Sequence, residues 1–155
     1  MSKSLKRVKA DLERLGIPLE IQEMPDTTRS AADAANAAGC GVDQIVKSIV
    51  FRGETSDSVY LFLTAGSNQV DPAQSAALAG ELLGKADAAF IRAKTGFAIG
   101  GVSPFGHLTP PRIFLDRSLL SHDHVWAAAG TPRHVFEIAP GRLAAASGAE
   151  VADFT

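Results

Sequence analysis

Apolar residues recur along this chain at two spacings, which separate predicted helices from predicted strands. Leu5, Val8, Leu12 and Leu15 recur at three and four residues, as on one face of a helix capped by Ser2 or Ser4. Short apolar or β-branched runs bounded by Gly, Pro and Asp predict strands. In chain order the pattern predicts that first helix up to Gly16, a strand at 19–23, a turn at 25–28, an Ala-rich helix from Thr28 or Ser30 to Gly39, strands at 44–51 and 58–64, helices at 71–78 and 87–94, a strand at 112–115, a helical turn at 116–120, strands at 125–129 and 134–138, a helix at 140–146 and a strand at 150–154.

The order of these elements predicts the fold class. Strands and short helices follow one another without regular strand–helix–strand alternation, and the runs at 44–51 and 58–64 form a hairpin across a polar turn. We therefore expect an α/β fold with a mixed, curved, barrel-like β-sheet surrounded by short helices. Because 155 residues is the size of one ordinary domain, we expect a single domain over 1–155.

The predicted strand at 44–51 carries a lysine in an unfavourable position. Ile45, Lys47 and Ile49 share one face, while Val46 and Ser48 lie on the other. With Ile and Val on both faces the strand is predicted to be interior, where an ammonium group must find a partner, lose its proton or line a cavity. A lysine that lines a cavity is a functional candidate, whereas a long stem that reaches solvent needs no function.

The composition limits the classes of partner. The chain is 46% hydrophobic and 21% charged with a formal net charge of -2, which is globular and does not draw the whole molecule to nucleic acid. Any RNA contact must come from a local patch, and the first helix carries either such a patch or an ordinary solvated face at Lys3, Lys6, Arg7, Lys9 and Arg14. The single cysteine, Cys40, excludes a disulfide framework. With no signal peptide or membrane segment recognisable, we expect a soluble, cytoplasmic protein.

Common catalytic motifs do not occur in the sequence. There is no G-x-S-x-G elbow and no Walker loop, and Gly100-Gly101 lacks the G-x-G-x-x-G frame of a dinucleotide site. The four histidines, His107, His122, His124 and His134, follow no recognised zinc spacing. The residues therefore give little support for a zinc site, a nucleotide-binding loop or a dinucleotide site.

The segment from Phe97 to His107 is too apolar and too rich in glycine for an ordinary exposed connection. Glycine allows bare backbone N–H groups to approach a ligand. A nearby lysine would add a positive charge for a phosphate or an oxyanion. The residues thus predict a small, mostly apolar pocket for an anionic or carbonyl-bearing ligand, without naming a reaction.

Three segments together resemble a known family. They are Val46-Lys47-Ser48, the loop from Thr95 to Gly106, and Ala128-Ala129-Gly130-Thr131-Pro132. In their order and spacing they resemble the YbaK/EbsC family of aminoacyl-tRNA deacylases, which is related to the editing insertion domain of bacterial prolyl-tRNA synthetase. The similarity runs from about Asp26 to Phe154.

The resemblance implies an activity and its partners. The expected reaction is hydrolysis, by a free-standing editing domain, of the ester that joins a wrong amino acid to the 3′ end of a tRNA, with no cofactor. A small amino acid on tRNA-Pro or a related tRNA is the expected substrate. The partners implied are the aminoacyl-tRNA 3′ end and, as an open alternative, an aminoacyl-tRNA synthetase; the protein is expected to be a monomer or a weak homodimer.

The resemblance also implies the site residues. Lys47 matches the essential lysine that holds a terminal phosphate or the substrate backbone, and Gly100 to Pro104 match the G-x-x-x-P loop that lines the pocket. Ser48 matches a small polar position that tunes the accepted side chain. The candidate catalytic residues are Lys47, Gly100 and Gly101, and the candidate substrate-binding residues are Ser48, Ser103, Pro104, His107, Thr131 and His134.

One departure from the family pattern bears on the mechanism. The best-known branch carries a serine and an aspartate where this chain has Ala128 and Val135, so polar help from that side must come from Thr131, His134 or Glu137, or be absent. His134 is more often a strand-edge residue than a catalyst. Two alternatives stay open: a module of the same fold that binds aminoacyl-tRNA or a synthetase without turnover, and a hydrolase for a small phosphorylated or acylated metabolite.

Overall fold

The computed structural model describes residues 2–25 and 30–155. Five α-helices lie in these ranges: α1 Lys3–Arg14, α2 Ala31–Ala38, α3 Pro72–Ala79, α4 Ala88–Thr95 and α5 Pro140–Ser147. Short 3-10 helices occupy Val42–Gln44 and Arg117–Ser121. The strands are β1 Ile21–Glu23, β2 Val46–Gly53, β3 Val59–Ala65, β4 Leu83–Lys85, β5 Arg112–Asp116, β6 Val125–Ala128, β7 His134–Ile138 and β8 Glu150–Ala152.

The strands form two sheets within the described ranges. A five-stranded mixed sheet has the order β4-β2-β3-β5-β8, and a three-stranded antiparallel sheet has the order β1-β7-β6. The mixed α/β class and the β2–β3 hairpin are confirmed. The expected barrel-like closure is not, because the two sheets meet through one isolated bridge, Ile45 to Trp126, instead of a continuous ladder.

Helix ends follow the capping residues in the sequence. Ser2 caps α1 by accepting a hydrogen bond from the Leu5 N–H, and Ser30 caps α2 in the same way through Asp33. Asp87 caps α4. Such side chains satisfy backbone N–H groups that have no partner inside the helix. Residues 26–28 of the predicted turn, which include the alternative cap Thr28, lie outside the described ranges.

The lysine-bearing strand is interior only at one end. β4 pairs with β2 from Phe51 to Gly53 alone, while the part from Val46 to Val50 has β3 on one side only. Gln44, predicted as the first residue of the strand, is instead the last residue of a 3-10 helix. β4 itself was not predicted, since three residues are too few to show a period. As a result, the Lys47 end of β2 is open to the space between the sheets.

Two hydrophobic clusters lie on opposite faces of the five-stranded sheet. Leu61 and Leu63 of β3 pack in a large cluster with residues of α1, α5 and the small sheet. Phe62 points the other way into a smaller aromatic cluster. Its ring lies 5.0 Å from Phe114 and 4.9 Å from Phe154 between centroids. Because Phe62 is fully buried, this cluster ties the middle of the sheet to the C-terminal end of the chain.

We predict that Phe62→Ala lowers the free energy of unfolding by about 3–5 kcal/mol, because it removes a buried ring and leaves a cavity. Urea denaturation followed by circular dichroism measures the change. Leu82→Ala is the matched control: that side chain is 68% exposed and is expected to change stability by no more than about 0.5 kcal/mol. Equal losses in both variants would contradict the assignment of this cluster to the core.

Candidate functional site

A cavity of about 630 Å³ lies beside the Lys47 end of β2. It is bounded by β2, β6, helix α2, the loop after α4 and the turn before β7. Along this side β2 and β6 are joined only by the isolated bridge between Ile45 and Trp126 within the described ranges, so no strand ladder fills the space beside Lys47. Its size is that of a pocket for a small organic ligand.

Most of the cavity wall is apolar. The two positions where the family pattern has a serine and an aspartate, Ala128 and Val135, both lie in this wall. Glu137, the third polar residue considered on this side, does not line the cavity, and its carboxylate lies 3.5 Å from the ring of His124. Polar groups on the β6–β7 side therefore come from Thr131 and His134.

Lys47 supplies a positive charge to this apolar space. Its side chain is half-buried, and Nζ donates a hydrogen bond of 2.5 Å to the backbone carbonyl of Asn68. An ammonium group has three N–H donors, so this contact fixes its position and leaves donors for a ligand. The lysine is thus held at the cavity instead of extending into bulk water.

The buried carboxylate of Asp116 binds Asn68, the residue whose carbonyl accepts the hydrogen bond from Lys47. Asn68 Nδ2 donates to Asp116 Oδ2 at 2.9 Å, and Asp116, only 4% exposed, also accepts hydrogen bonds from Ala65 and Ser118. Burial raises the pKa of Asp116, but the hydrogen bonds from Asn68, Ala65 and Ser118 outweigh burial, so its pKa lies below the ordinary value. Asp116 is therefore ionised at neutral pH, and its hydrogen bonds order the turn that bears the Asn68 carbonyl.

Ser48 lines the cavity next to Lys47. Its hydroxyl oxygen is buried and has no hydrogen-bond partner among the described residues. A buried hydroxyl without a partner costs free energy unless another polar group reaches it. The hydroxyl is therefore an unpartnered polar atom beneath the cavity surface, and its contact with a ligand stays a prediction.

The glycine-rich loop reaches the cavity through Gly100. Gly100 lies in the cavity wall with φ +88°. Gly101 packs against the turn that contains Thr131, where an added Cβ would lie 2.8 Å from Thr131 Cα. The Gly101 N–H is already donated to the Ala98 carbonyl at 3.0 Å. Within the described part of the chain, the N–H groups of Gly100 and Val102 have no such acceptor. Of the two glycines predicted to be catalytic, Gly100 lies in the cavity wall and keeps its N–H without such an acceptor, and binding of an oxyanion by this loop stays a prediction.

Thr131 and His134 form a hydrogen-bonded pair at the cavity. Thr131 Oγ1 lies 2.6 Å from His134 Nδ1 and also accepts the backbone N–H of Arg133. A hydroxyl that accepts from one group can donate its proton to another. The Thr131 hydroxyl can donate to Nδ1 or accept from it, so the contact pairs the two side chains in either tautomer of the ring.

The structure brings five of the nine candidate residues to this cavity and places the others away from it. Lys47, Ser48, Gly100, Thr131 and His134 line it, and Gly101 packs behind Gly100. The remaining three, Ser103, Pro104 and His107, do not line it.

Ser103, Pro104 and His107 lie deeper in the loop. Ser103 is fully buried and accepts the Phe105 N–H, while Pro104 and His107 line a second cavity of about 460 Å³ against α1. His107 Nε2 lies 2.5 Å from the Ser103 carbonyl. Burial lowers the pKa of His107, so its ring is neutral at pH 7. The contacts of these side chains maintain the shape of the loop, and direct substrate binding by them stays a prediction.

Several lining residues were not singled out from the sequence. The chain's single tryptophan, Trp126, lines the cavity with Met24 and with Ala31 and Ala34 of α2. A strand alternation was visible at Val125 to Ala128 and put Trp126 and Ala128 on one face. No local pattern could show that α2 covers that face.

The described residues contain no metal-binding cluster and no spanning helix. In 2–25 and 30–155, no three or more histidine, cysteine, aspartate or glutamate side chains gather where they could hold a metal ion. Over the same ranges, no helix is both long and apolar enough to cross a membrane.

The fold and the cavity together define a mixed α/β domain in which a lysine faces an apolar pocket. The chain belongs to the aminoacyl-tRNA editing domain family, whose model matches residues 25–146. This confirms the resemblance to YbaK-type proteins.

Individual relatives support both the family and the fold. The YwhH protein of Bacillus subtilis (strain 168) is 31% identical over 140 residues, covering 90% of this chain and 88% of YwhH. A protein proposed to be a trans-editing enzyme for prolyl-tRNA synthetase has a solved structure that is 47% identical, with a TM-score of 0.94, over 100% of this chain and 98% of that one. A scaffold protein for the presentation of linear epitopes is 46% identical, also with a TM-score of 0.94, over 100% of this chain and 99% of that one.

We predict that His107→Gln changes the pH dependence of stability. The unfolded chain takes up a proton at the ordinary histidine pKa of about 6.5, whereas folded His107 takes it up only at lower pH. Wild-type stability is therefore lost as pH falls below about 6.5, until the folded pKa is reached. Glutamine keeps an N–H donor for the Ser103 carbonyl but does not titrate.

The measurement is the free energy of unfolding in urea at several pH values from about 5 to about 8. The difference between wild type and His107→Gln is expected to be largest at the alkaline end and to shrink towards acid. A difference that is constant with pH, or that grows towards acid, would show that the ring is not buried in its neutral form.

Proposed function

We propose that this protein is a free-standing trans-editing aminoacyl-tRNA deacylase. It hydrolyses the ester of a mischarged tRNA and, as the family resemblance implies, does so without a metal ion or organic cofactor. Membership of the editing-domain family supports this class of reaction. The single observation that carries the proposal is Lys47, whose ammonium group is fixed at the edge of an apolar cavity with donors to spare.

Lys47 in this proposal binds the negatively charged end of the tRNA. The substrate ends in a phosphodiester-linked nucleoside that carries the amino acid, and an ammonium group is a strong partner for a phosphate or a developing oxyanion. Asn68 fixes the direction of that charge. Because little reorganisation is then needed when negative charge develops, the charge stabilises the transition state more than a mobile surface lysine would.

Water attack completes the proposed reaction. Water adds to the ester carbonyl carbon, the bond from that carbon to the ribose oxygen breaks, and the ribose hydroxyl is regenerated together with a free amino acid. The N–H groups of Gly100 and Val102 are suited to bind the carbonyl oxygen as it becomes negative. The ester is already activated and its neighbouring ribose hydroxyl can assist, so no side-chain nucleophile is required.

The apolar wall supports selection of the amino acid by size. Ala128 and Val135 give the acyl group an apolar surface, while the Ser48 hydroxyl offers one polar contact. One methylene group changes the selectivity of an apolar pocket by only about 1–3 kcal/mol. That limit suits an editor that rejects large cognate side chains and admits small ones such as alanine, serine or cysteine.

The tRNA of the proposed substrate is tRNA-Pro or a related tRNA. The support is the 47% identical protein described as a proposed trans-editing enzyme for prolyl-tRNA synthetase, which matches this chain over its whole length. With a net charge of -2, the protein has little general attraction for RNA. Delivery by a synthetase would offset that weakness.

A binding module of the same fold is the second candidate. Ala128 and Val135 motivate it, since they replace the polar residues of the best-known family branch and leave that wall of the cavity with Thr131 and His134 as its polar side chains. Such a module would hold aminoacyl-tRNA without turnover.

We predict that Lys47→Met lowers kcat/KM for deacylation by about 10²–10³-fold, the usual effect of removing one group that stabilises the oxyanion. Methionine keeps the stem and loses the charge, so the free energy of unfolding should change little. Lys85→Met is the matched control, because Lys85 is exposed on the edge strand β4. A Lys47→Met enzyme as active as Lys85→Met would remove Lys47 from the mechanism.

A panel of mischarged tRNAs tests the deacylase against the binding module. Purified protein is mixed with tRNA-Pro and related tRNAs that carry radiolabelled alanine, serine, cysteine or proline, and released amino acid is followed over time. The deacylase is expected to release at least one small amino acid faster than Lys47→Met does, and to spare prolyl-tRNA. Retention of the tRNA on a filter without release of any amino acid would favour the binding module.

A further inference from the structure

Arg7 of α1 contacts both ends of the glycine-rich loop. Its Nη2 donates a hydrogen bond of 2.7 Å to the Gly96 carbonyl, and its Nε donates one of 3.2 Å to the Gly106 carbonyl. The loop between these glycines contains Gly100, which lines the Lys47 cavity. One guanidinium group therefore joins the two points where the loop leaves and rejoins the rest of the fold.

Further contacts hold the same junction. Asp11, one turn along α1, accepts the Gly106 N–H at 2.9 Å. The Arg7 guanidinium also lies 5.3 Å from the centre of the Phe97 ring, at the start of the loop. Gly106 has φ +80°, and an added Cβ would lie 3.0 Å from the Arg7 carbonyl carbon. Only a glycine permits this approach of the loop backbone to the helix.

The geometry requires arginine rather than a general positive charge. A guanidinium group presents several N–H donors in a fixed plane, so it can bind two carbonyl groups at once. A lysine ammonium is a single point charge on a flexible stem. The residue also lies outside the region that the family model matches, which begins at residue 25. Family membership therefore assigns no role to α1.

We infer that Arg7 is a positioning residue that clamps the loop from Gly96 to Gly106 and thereby places the Gly100 backbone at the Lys47 cavity. The clamp is a property of the fold, and its effect on deacylation rests on the proposed function. A loop amide displaced by about 1 Å is enough to reduce a rate by about 10²-fold. Arg7 thus acts through the loop and makes no contact with the substrate.

Hydrogen exchange tests the clamp without reference to any activity. In Arg7→Met the amides of Phe97, Gly101 and Phe105, which donate hydrogen bonds inside the loop, are expected to exchange at least about tenfold faster than in wild type, because hydrogen bonds to a charged group are lost and the loop opens locally. The amides of β3 should keep their wild-type rates. Arg92→Met, the same substitution at an exposed arginine of α4, should change neither region.

Deacylation kinetics test the consequence for function, with the mischarged tRNA that the wild-type protein hydrolyses fastest as the substrate. Arg7→Met is expected to lower kcat by about 10²-fold with less than about a threefold change in KM. Arg7→Lys keeps the charge but cannot bridge both carbonyls, and it should resemble Arg7→Met in exchange and in kcat. Methylguanidinium in the assay should partly restore Arg7→Ala.

Each contrary result overturns the inference at a different step. Faster exchange throughout β3 would mean general destabilisation, and an Arg7→Lys protein that behaves like wild type would mean that charge alone matters. A loss confined to KM would point to a contact with tRNA phosphates instead. If the wild-type protein hydrolyses no ester, the proposed function fails while the exchange result still decides the clamp.

Discussion

A charged amine beside an apolar cavity needs a partner that compensates for its partial removal from water. Here the partner is a neutral backbone carbonyl, that of Asn68, and not a carboxylate. A carboxylate would have cancelled the charge that a phosphate or oxyanion is expected to meet. The negative charge of Asp116 is instead separated from Lys47 by Asn68, whose side-chain amide donates a hydrogen bond to the Asp116 carboxylate. This hydrogen bond orders the turn that contains Asn68. The structure therefore holds Lys47 in place and leaves its charge available to a ligand.

The position of the cavity follows from how the two sheets meet. The isolated bridge between Ile45 and Trp126 brings β2 next to β6, and among the described residues no further pairing joins these strands where Lys47 and Ser48 follow. Helix α2, the Gly100 loop and the turn at Thr131 close the remaining sides. Closure into a barrel would have filled this space with paired strands. The same irregularity that departs from the predicted barrel thus produces the site.

Local chemistry made much of the fold predictable, while long-range contacts did not. The caps Ser2 and Ser30 and the β2–β3 hairpin follow from neighbouring residues alone. Lys47 and Gly100 could be proposed together because Lys47 is a charged residue in a strand predicted to be interior, and Gly100 lies in an unusually apolar loop. The direction of that loop could not be predicted from the sequence. The Arg7 and Asp11 contacts that turn its C-terminal half towards α1 join residues more than ninety positions apart.

In the proposed deacylase, the apolar residues Ala128 and Val135 would affect selectivity as well as catalysis. A site that hydrogen-bonds a substrate hydroxyl rejects analogues without it strongly, because its own polar groups are then left unpaired. An alanine and a valine impose no such penalty and distinguish acyl groups mainly by volume. Ser48 is an exception, because its buried hydroxyl has no partner among the described residues, so a substrate that reaches it gains a contact that an alkyl side chain cannot make. Amino acids of equal size should therefore be ranked by whether they carry a polar atom towards Ser48.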